Sequence, residues 1–510
     1  MGPTWSAEAH EKRIVGEAVS MNPSAATPDE PPKLRRSAPL VLAGLLAGLL
    51  LGFMDVTIVS TAAPTIIADL GGLNLFAWVF SAFLIVQTVT IPIFGKLSDL
   101  YGRKRFFLLG LLVFMAGSAL SGASRDIYQL IAFRALQGIG FGAFVPATIA
   151  IAGDMFPPER RGQVQGLLFS INGIAFAIAP ALGSFLTEAI SWRWIFYINL
   201  PVGVVSLALI YFALRESKAA DASPFSDWLG ASLLVGFLGL LMMGLFLGGS
   251  TFGWTSWAEI ALFAGSVLLL AGFVLAERRA REPVLPPRLF RIRNIAAATV
   301  VNILRAAAFF GIIAFLPLFA AKGLGASLGD QRNVIYAFTL PLTGGLLLGG
   351  TLVSRLGFKT PAIVGAAISS IGILLITSIR SSSSILQLMT VCLPIGFGNG
   401  MMIPATIVAF QNSVERREIG IASGLATFTL NLGGAIGVSL LGAIQISLFA
   451  SDLSALLAGS PSGGAAILQE AFAQSISSVF WIVLGVSVAT FVAVLLMKRL
   501  AAGGAPATLG

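Results

Sequence analysis

The chain is poor in the residues on which most enzymes and metal sites depend. Its 510 residues include one cysteine, Cys392, and one histidine, His10. A single cysteine excludes disulfides within the chain, and so few thiols and imidazoles predict neither a metal site nor a resident cofactor. Charged residues make up only 11% of the sequence, whereas soluble domains carry about 25%. The composition therefore argues against a soluble enzyme.

Long apolar runs take the place of these residues. Apolar residues amount to 56% of the chain, and the mean hydropathy is +0.90. Each run of about 20 apolar residues is long enough to cross the hydrocarbon core of a bilayer as a helix. Hydropathy and turn residues predict an all-α polytopic membrane protein with fourteen transmembrane helices, the last two over 420–446 and 474–497. Residues 1–37 are polar and rich in proline and alanine, which predicts a disordered tail.

The basic residues are distributed asymmetrically along the chain. Of the 32 lysines and arginines, 25 fall in the two tails and in one set of alternate loops. The positive-inside rule therefore predicts that both termini are cytoplasmic and that the helices cross the plasma membrane. These loops also account for the net charge of +9, so no nucleic-acid partner is expected.

One carboxylate, Asp55, stands inside a long apolar segment. A charge at bilayer depth costs several kcal/mol unless it is paired or neutralised, so such a residue is functional by default. Burial disfavours the charged form of a carboxylate, which makes Asp55 the candidate site for a transported proton. The alternative is a structural ion pair that never changes its protonation.

Two stretches of the chain repeat each other. Residues 138–149 read GIGFGAFVPATI and residues 396–407 read GFGNGMMIPATI, an offset of 258. At an offset of 255, residues 95–104 (GKLSDLYGRK) match residues 350–359 (GTLVSRLGFK). Helix packing explains the glycines singly but not the shared Pro-Ala-Thr-Ile ending. We infer two homologous six-helix halves around an inserted helix pair, which is the architecture of a rocking transporter.

Domain boundaries follow from this repeat and from the charge distribution. We expect a monomer with a cytosolic tail over 1–37, an N-terminal bundle over 38–214, a linker with two inserted helices over 215–293, a C-terminal bundle over 294–497 and a cytosolic tail over 498–510.

At these motifs the chain resembles the major facilitator superfamily, and in particular its fourteen-helix drug:proton antiporter branch. Residues 95–105, GKLSDLYGRKR, are similar to the superfamily's loop motif between helices two and three. The resemblance implies a major facilitator fold in which Gly95, Asp99, Gly102 and Arg103 favour one conformer of the alternating-access cycle. The glycines allow a tight turn, while Asp99 and Arg103 are suited to charge-assisted bonds with helix ends.

Residues 134–140, RALQGIG, are similar to the superfamily's helix-four motif, which implicates Arg134 in proton coupling. An arginine in an apolar helix needs a partner, and Asp55 is the only buried anion expected in the same half. We therefore expect Arg134 to adjust the protonation of Asp55. The alternative is a structural bond from Arg134 to helix-end carbonyls.

Residues 175–184, AFAIAPALGS, resemble the antiporter motif of helix five in a weakened form. Pro180 and Gly183 are retained, whereas alanine or serine replaces the family's other glycines. Pro180 removes a backbone hydrogen bond and is expected to kink the helix. The substituted residues are all small, so close helix packing is still expected.

Arg305 has no place in the family pattern. It is expected to extend towards the cytosolic interface, to pair with Asp55 across the halves, or to bind an anionic group of the substrate. We expect it to share a substrate cavity with three amide side chains, each of which could instead serve helix packing: Gln87, Asn172 and Asn431.

No ATP-binding motif is present, because the glycine-rich stretch over 138–142 lacks the Lys-Ser/Thr ending of a phosphate loop. Together with the resemblance, this predicts proton-coupled efflux of hydrophobic small molecules, cationic ones among them, with protons and the lipid bilayer as the other partners. Export of a lipid, glycolipid or siderophore by the same fold is the alternative. A transport-inactive receptor or assembly factor is less compatible with two charges inside apolar helices.

Overall fold

The computed structural model describes residues 38–71, 75–215, 227–248, 252–280, 283–459 and 464–498, so the predicted tail over 1–37 and residues 499–510 lie outside the described residues. Within these residues the chain is helical and forms no strand. The α-helices are α1 (Ala38–Thr61), α2 (Ala63–Leu70), α3 (Phe76–Tyr101), α4 (Arg103–Gly122), α5 (Ile127–Met155), α6 (Pro158–Ala189), α7 (Trp194–Tyr197), α8 (Asn199–Ala213), α9 (Trp228–Leu247), α10 (Trp257–Glu277), α11 (Arg293–Leu318), α12 (Leu328–Leu356), α13 (Lys359–Ile376), α14 (Ile385–Gln411), α15 (Ile419–Gly459) and α16 (Gly464–Leu495).

Thirteen helices in the described part of the chain are long and apolar enough to cross a membrane. The short α7 and the following α8 together make one of these spans. Helix α6 bends by 40° and adds a fourteenth if its two parts, Pro158–Phe176 and Ile178–Ala189, are one span. The predicted all-helical membrane fold is therefore confirmed, and the count agrees with the fourteen predicted helices.

The predicted bounds of the last two helices are wrong. Helix α15 continues past residue 446 to Gly459 and has 41 residues, and α16 begins at Gly464 rather than at 474. Ser451, Asp452 and Ser454 lower the local hydropathy without stopping the helix. A helix of this length spans about 60 Å, twice the hydrocarbon thickness, so α15 extends beyond the bilayer.

The two halves, α1–α8 and α11–α16, meet through glycines. A Cβ atom added to Gly95 of α3 would lie 3.0 Å from the carbonyl oxygen of Gly420 in α15. A Cβ atom on Gly162 of α6 would lie 2.6 Å from the carbonyl oxygen of Gly350 in α12. Such crossings bring backbone against backbone and need the smallest residues. The halves are therefore closed together at the end of the molecule that carries Arg103, which we call the basic end.

The inserted helices α9 and α10 pack against each other, and α9 also contacts α3 and α15. Helix α10 presents apolar side chains outwards, including Trp257, Val267 and Leu268. An outward apolar surface is what a lipid-facing helix requires. The inserted pair therefore lies at the periphery of the bundle.

Candidate functional site

Asp55 of α1 and Arg134 of α5 form an ion pair in the interior of the first half. The Arg134 guanidinium donates through Nη1 to Asp55 Oδ2, and neither residue is exposed to solvent. Residues 79 positions apart in the sequence are thus joined where helix packing excludes water. The structure pairs the two charges that the sequence singled out.

Three neighbours satisfy the remaining polar groups of this pair. Gln137 donates through Nε2 to Asp55 Oδ1 at 2.7 Å and accepts from Arg134 Nη1 at 2.8 Å. Arg134 Nε donates to the carbonyl oxygen of Val79 at 3.2 Å. The guanidinium carbon also lies 4.3 Å from the centroid of the Phe83 ring, within range of a cation–π interaction. Each charge is compensated, as burial requires.

A second amide approaches the carboxylate from α8. Asn199 Nδ2 lies 3.3 Å from Asp55 Oδ1 and donates to Ser118 Oγ at 2.9 Å, while Ser118 donates to the carbonyl oxygen of Phe196. Asn199 Oδ1 is buried without a hydrogen-bond partner. The Asp55 carboxylate therefore accepts bonds from three side chains. These bonds favour the charged form of the carboxylate.

Sequence alone assigns no role to Gln137 or Asn199. For Gln137 a signal was available, because it lies three residues after Arg134 and one helical turn away on the same face. For Asn199 no local signal exists, because its contact with Asp55 spans 144 positions and depends on how α8 packs against α1.

Arg305 lies in the second half, in the middle of α11, and is only 2% exposed. Its Nη2 donates to Asn302 Oδ1 at 2.8 Å, and Asn302 is held by the carbonyl oxygen of Ala426 and the hydroxyl of Thr429 in α15. Its Nε and Nη1 have no hydrogen-bond partner. The expected pairing with Asp55 does not occur, because α11 packs against α15 and Asp55 is bound by Arg134. Extension to the interface does not occur either, because the side chain is buried.

The three amides expected in the cavity lie on three different helices. Gln87 is buried on α3, one turn beyond Phe83, whereas Asn172 of α6 and Asn431 of α15 are half-buried. Gln87 Oε1 and Asn172 Oδ1 lack partners. Within the described residues, no hydrogen bond joins these amides to one another or to Arg305.

Asp99 of α3 caps a helix of the opposite half at the basic end. Its two carboxylate oxygens accept from the backbone N–H groups of Gly420 at 2.8 Å and Ile421 at 2.7 Å, at the start of α15. Arg103 donates through Nη2 to the same carboxylate at 2.8 Å. Gly102 allows this turn because its φ of 107° is strained for other residues. Asp99 thus joins the halves through charge-assisted bonds to a helix N-terminus.

Asp154 and Arg161 extend this contact in ways that local sequence does not reveal. Asp154 accepts from Arg103 Nη1 at 2.6 Å and from Arg416 Nε at 3.0 Å. Arg161 Nη1 donates to Asn412 Oδ1 at 2.8 Å. The Arg161–Asn412 and Arg416–Asp154 contacts join positions 251 and 262 apart, so only the fold brings them together. We call Asp99, Arg103, Asp154, Arg416 and the start of α15 the latch.

Helix α6 carries the proline of the weakened antiporter motif. The helix bends by 40° between Phe176 and Ile178, and Phe176 is four residues before Pro180. The carbonyl at that position is the one with which a proline ring clashes, so the bend has an identifiable cause. Gly183, one turn further on, is buried.

Comparison with known proteins agrees with this arrangement. The sequence profile of the Major Facilitator Superfamily matches residues 45–438. The chain is 36% identical over 423 residues to Multidrug resistance protein 3 of Bacillus subtilis (strain 168), which covers 83% of this chain and 82% of that protein. It is 34% identical over 406 residues to Multidrug transporter protein MdtP of the same organism, with coverages of 80% and 75%.

Among solved structures, the fold is similar to that of the proton:xylose symporter XylE bound to 6-bromo-6-deoxy-D-glucose. The TM-score is 0.62 at 15% identity, over 90% of this chain and 95% of that one, so this likeness concerns the fold alone. The chain belongs to the major facilitator superfamily and is a multi-pass membrane transporter.

Proposed function

We propose that this protein exports hydrophobic small molecules, cationic ones among them, across the plasma membrane in exchange for protons. The observation that carries the proposal is the fully buried Asp55–Arg134 pair, because a charge held inside a membrane bundle marks ion or proton pathways. The multidrug names of the two Bacillus relatives support the substrate class.

Proton binding at Asp55 is the coupling step. The added proton neutralises the carboxylate and removes its attraction to Arg134, which keeps Gln137, the Val79 carbonyl and the Phe83 ring as partners. Arg134 therefore keeps hydrogen-bond and cation–π partners in that state, although its charge is no longer compensated. Helices α1 and α5 lose their strongest link in that state. One carboxylate carries at most one proton per cycle.

The latch supplies the conformational half of the cycle. If the basic end faces the cytoplasm, as the positive-inside rule predicts for both termini, the described conformer is closed to the cytoplasm. Substrate entry from the cytoplasm then requires Asp99 to release the start of α15. Proton binding from outside and substrate release precede that step, and the protein performs the cycle as a monomer.

A second candidate function is export of an anionic amphiphile such as a lipid, glycolipid or siderophore. The observation that favours it is Arg305, a buried cation with two unpartnered nitrogens. The same proton cycle at Asp55 serves either cargo, so the two candidates differ in the substrate and not in the coupling.

Dye uptake by everted membrane vesicles tests the coupling. Ethidium accumulation is measured under an imposed gradient with an acidic lumen, for the wild type, Asp55→Asn and the control Glu188→Gln, an exposed carboxylate on α6. We expect Asp55→Asn to lose at least about tenfold in initial rate and the control to keep the wild-type rate. Collapse of the gradient with nigericin should abolish wild-type uptake.

Two outcomes contradict this proposal. Undiminished gradient-driven uptake by a folded Asp55→Asn variant would make Asp55 a structural residue. Absence of ethidium uptake by the wild type, with the protein inserted and folded, would overturn hydrophobic cations as the cargo and favour the anionic candidate.

A further inference from the structure

In the part of the chain that the structure describes, Arg134 and Arg305 are both buried within membrane helices, and only Arg134 is neutralised. Arg134 has the Asp55 carboxylate and the Phe83 ring. Arg305 donates one bond to a neutral amide oxygen, that of Asn302, and leaves Nε and Nη1 without partners. These two nitrogens carry three N–H donors. Among the described residues, no group neutralises the charge of Arg305, and most of its N–H donors are unused.

Among the described residues of the second half, no carboxylate pairs with Arg305. Arg305 is the thirteenth residue of the 26-residue α11 and lies near its middle. The acidic residues from 294 to 498 lie in loops or towards helix ends: Asp330, Glu415, Glu418, Asp452 and Glu470. In the part of the chain that the structure describes, none of them pairs with Arg305. A buried, uncompensated guanidinium is strongly unfavourable, so a partner from outside the chain is expected.

The neighbours of Arg305 hold it in place. Asn302 Nδ2 donates to the carbonyl oxygen of Ala426 at 2.6 Å and to Thr429 Oγ1 at 2.9 Å, which fixes the amide. The oxygen of the same amide, Asn302 Oδ1, accepts a hydrogen bond from Nη2 of the guanidinium. Phe309 follows one turn later on the same buried stripe of α11, with its ring centroid 5.4 Å from that of Phe338. A fixed cation beside aromatic surface suits an anionic group on an apolar body.

We propose that Arg305 binds a singly charged carboxylate or phosphate group of an amphiphilic molecule. Binding itself needs no proton cycle. The inference rests on the proposed transport function only where it treats the bound molecule as a transported cargo. The anionic group has two sources, a transported small molecule or an anionic phospholipid of the bilayer. Both present the same chemistry to the guanidinium, so the experiment must separate them.

Equilibrium binding to the full-length protein in phosphatidylcholine nanodiscs tests the site. The probes are 1-pyrenebutyrate and its methyl ester, which share the aromatic body and differ in the charge. We expect the wild type to bind the carboxylate about tenfold more tightly than the ester, and Arg305→Gln to bind both equally. Asp55→Asn should keep the preference, which separates this result from a failure of proton coupling.

A second variant guards against misfolding of Arg305→Gln. Arg305→Met removes the uncompensated charge and leaves an apolar side chain of similar length, so it should keep the fold and abolish the preference. Equal binding of the two probes by the wild type overturns the proposal, and so does a preference that persists in both folded variants.

Nanodiscs in which phosphatidylglycerol replaces part of the phosphatidylcholine identify the source. If the bilayer supplies the anion, this lipid weakens pyrenebutyrate binding to the wild type and leaves Arg305→Gln unchanged. If the cargo supplies it, the wild-type affinity is the same in both bilayers. Either outcome supports an anion site at Arg305.

Discussion

Cys392 occupies in the second half the position that Arg134 holds in the first. Each lies four residues before the first glycine of the repeated motif, Arg134 before Gly138 on α5 and Cys392 before Gly396 on α14, and both are fully buried. At this position of the repeat, the first half has the arginine of an ion pair and the second half has a neutral thiol. Arg305 is not the counterpart of Arg134, because it belongs to α11. The two halves share a fold but differ in their buried charges.

The Asp55–Arg134 pair should show strong coupling in a double-mutant cycle. Arg134→Gln leaves a buried carboxylate without its cation, and Asp55→Asn leaves the cation without its carboxylate. We expect each to lower the free energy of unfolding by about 3–5 kcal/mol. The double variant should lose less than the sum, because it buries no uncompensated charge. Denaturant unfolding of the purified protein in mixed micelles measures all four members of the cycle.

Gln137→Leu is the matched comparison, since it removes two hydrogen bonds to the pair and leaves both charges. Its expected cost is smaller, about 1–3 kcal/mol. Additive effects of Asp55→Asn and Arg134→Gln would contradict direct coupling within the membrane interior.

The membrane class, the number of spans and the Asp55–Arg134 pair were predictable because each depends on local composition or on scarcity. A bilayer tolerates few charges. The two charged residues inside apolar segments of the first half, Asp55 and Arg134, therefore had few possible partners other than each other. Asn199, Asp154 and Asn412 were not predictable, because their contacts depend on helix packing over 144 to 262 positions. The C-terminal end of α15 was predicted wrongly because hydropathy indicates which residues lie in the bilayer, whereas α15 continues beyond it.

The latch predicts a shift in conformer when Asp99 loses its charge. Asp99→Asn keeps the shape but replaces one acceptor oxygen with an amide, so one of the bonds from Gly420 and Ile421 is lost. Charge-assisted bonds contribute about 1.5–3 kcal/mol, enough to change a two-state ratio about tenfold or more. The basic end should open more often in this variant.

A disulfide between Gln163→Cys and Ser354→Cys reports that opening. The backbone N–H of Gln163 donates to Ser354 Oγ at 3.2 Å across the halves. The two cysteines are introduced into a background in which the buried Cys392 is replaced by alanine. Oxidation should link the pair readily in that background and more slowly when Asp99→Asn is added. Glu188→Gln, outside the latch, should leave the rate unchanged. An equal rate in Asp99→Asn would mean that the glycine crossings alone keep the basic end closed.

Those crossings make their own prediction. A Cβ atom on Gly350 would overlap the carbonyl oxygen of Gly162, and backbone cannot move aside as a flexible side chain can. We expect Gly350→Ala to lower the free energy of unfolding by about 1–3 kcal/mol and to slow transport, because the closed conformer loses its tight contact. Gly485→Ala is the control, since nothing lies within 4 Å of the added carbon and alanine favours a helix. Thermal unfolding measures the stability of both variants, and ethidium uptake by everted vesicles measures their transport. Equal stability of the two would show that α6 and α12 can separate at no cost, and closure would then depend on the latch.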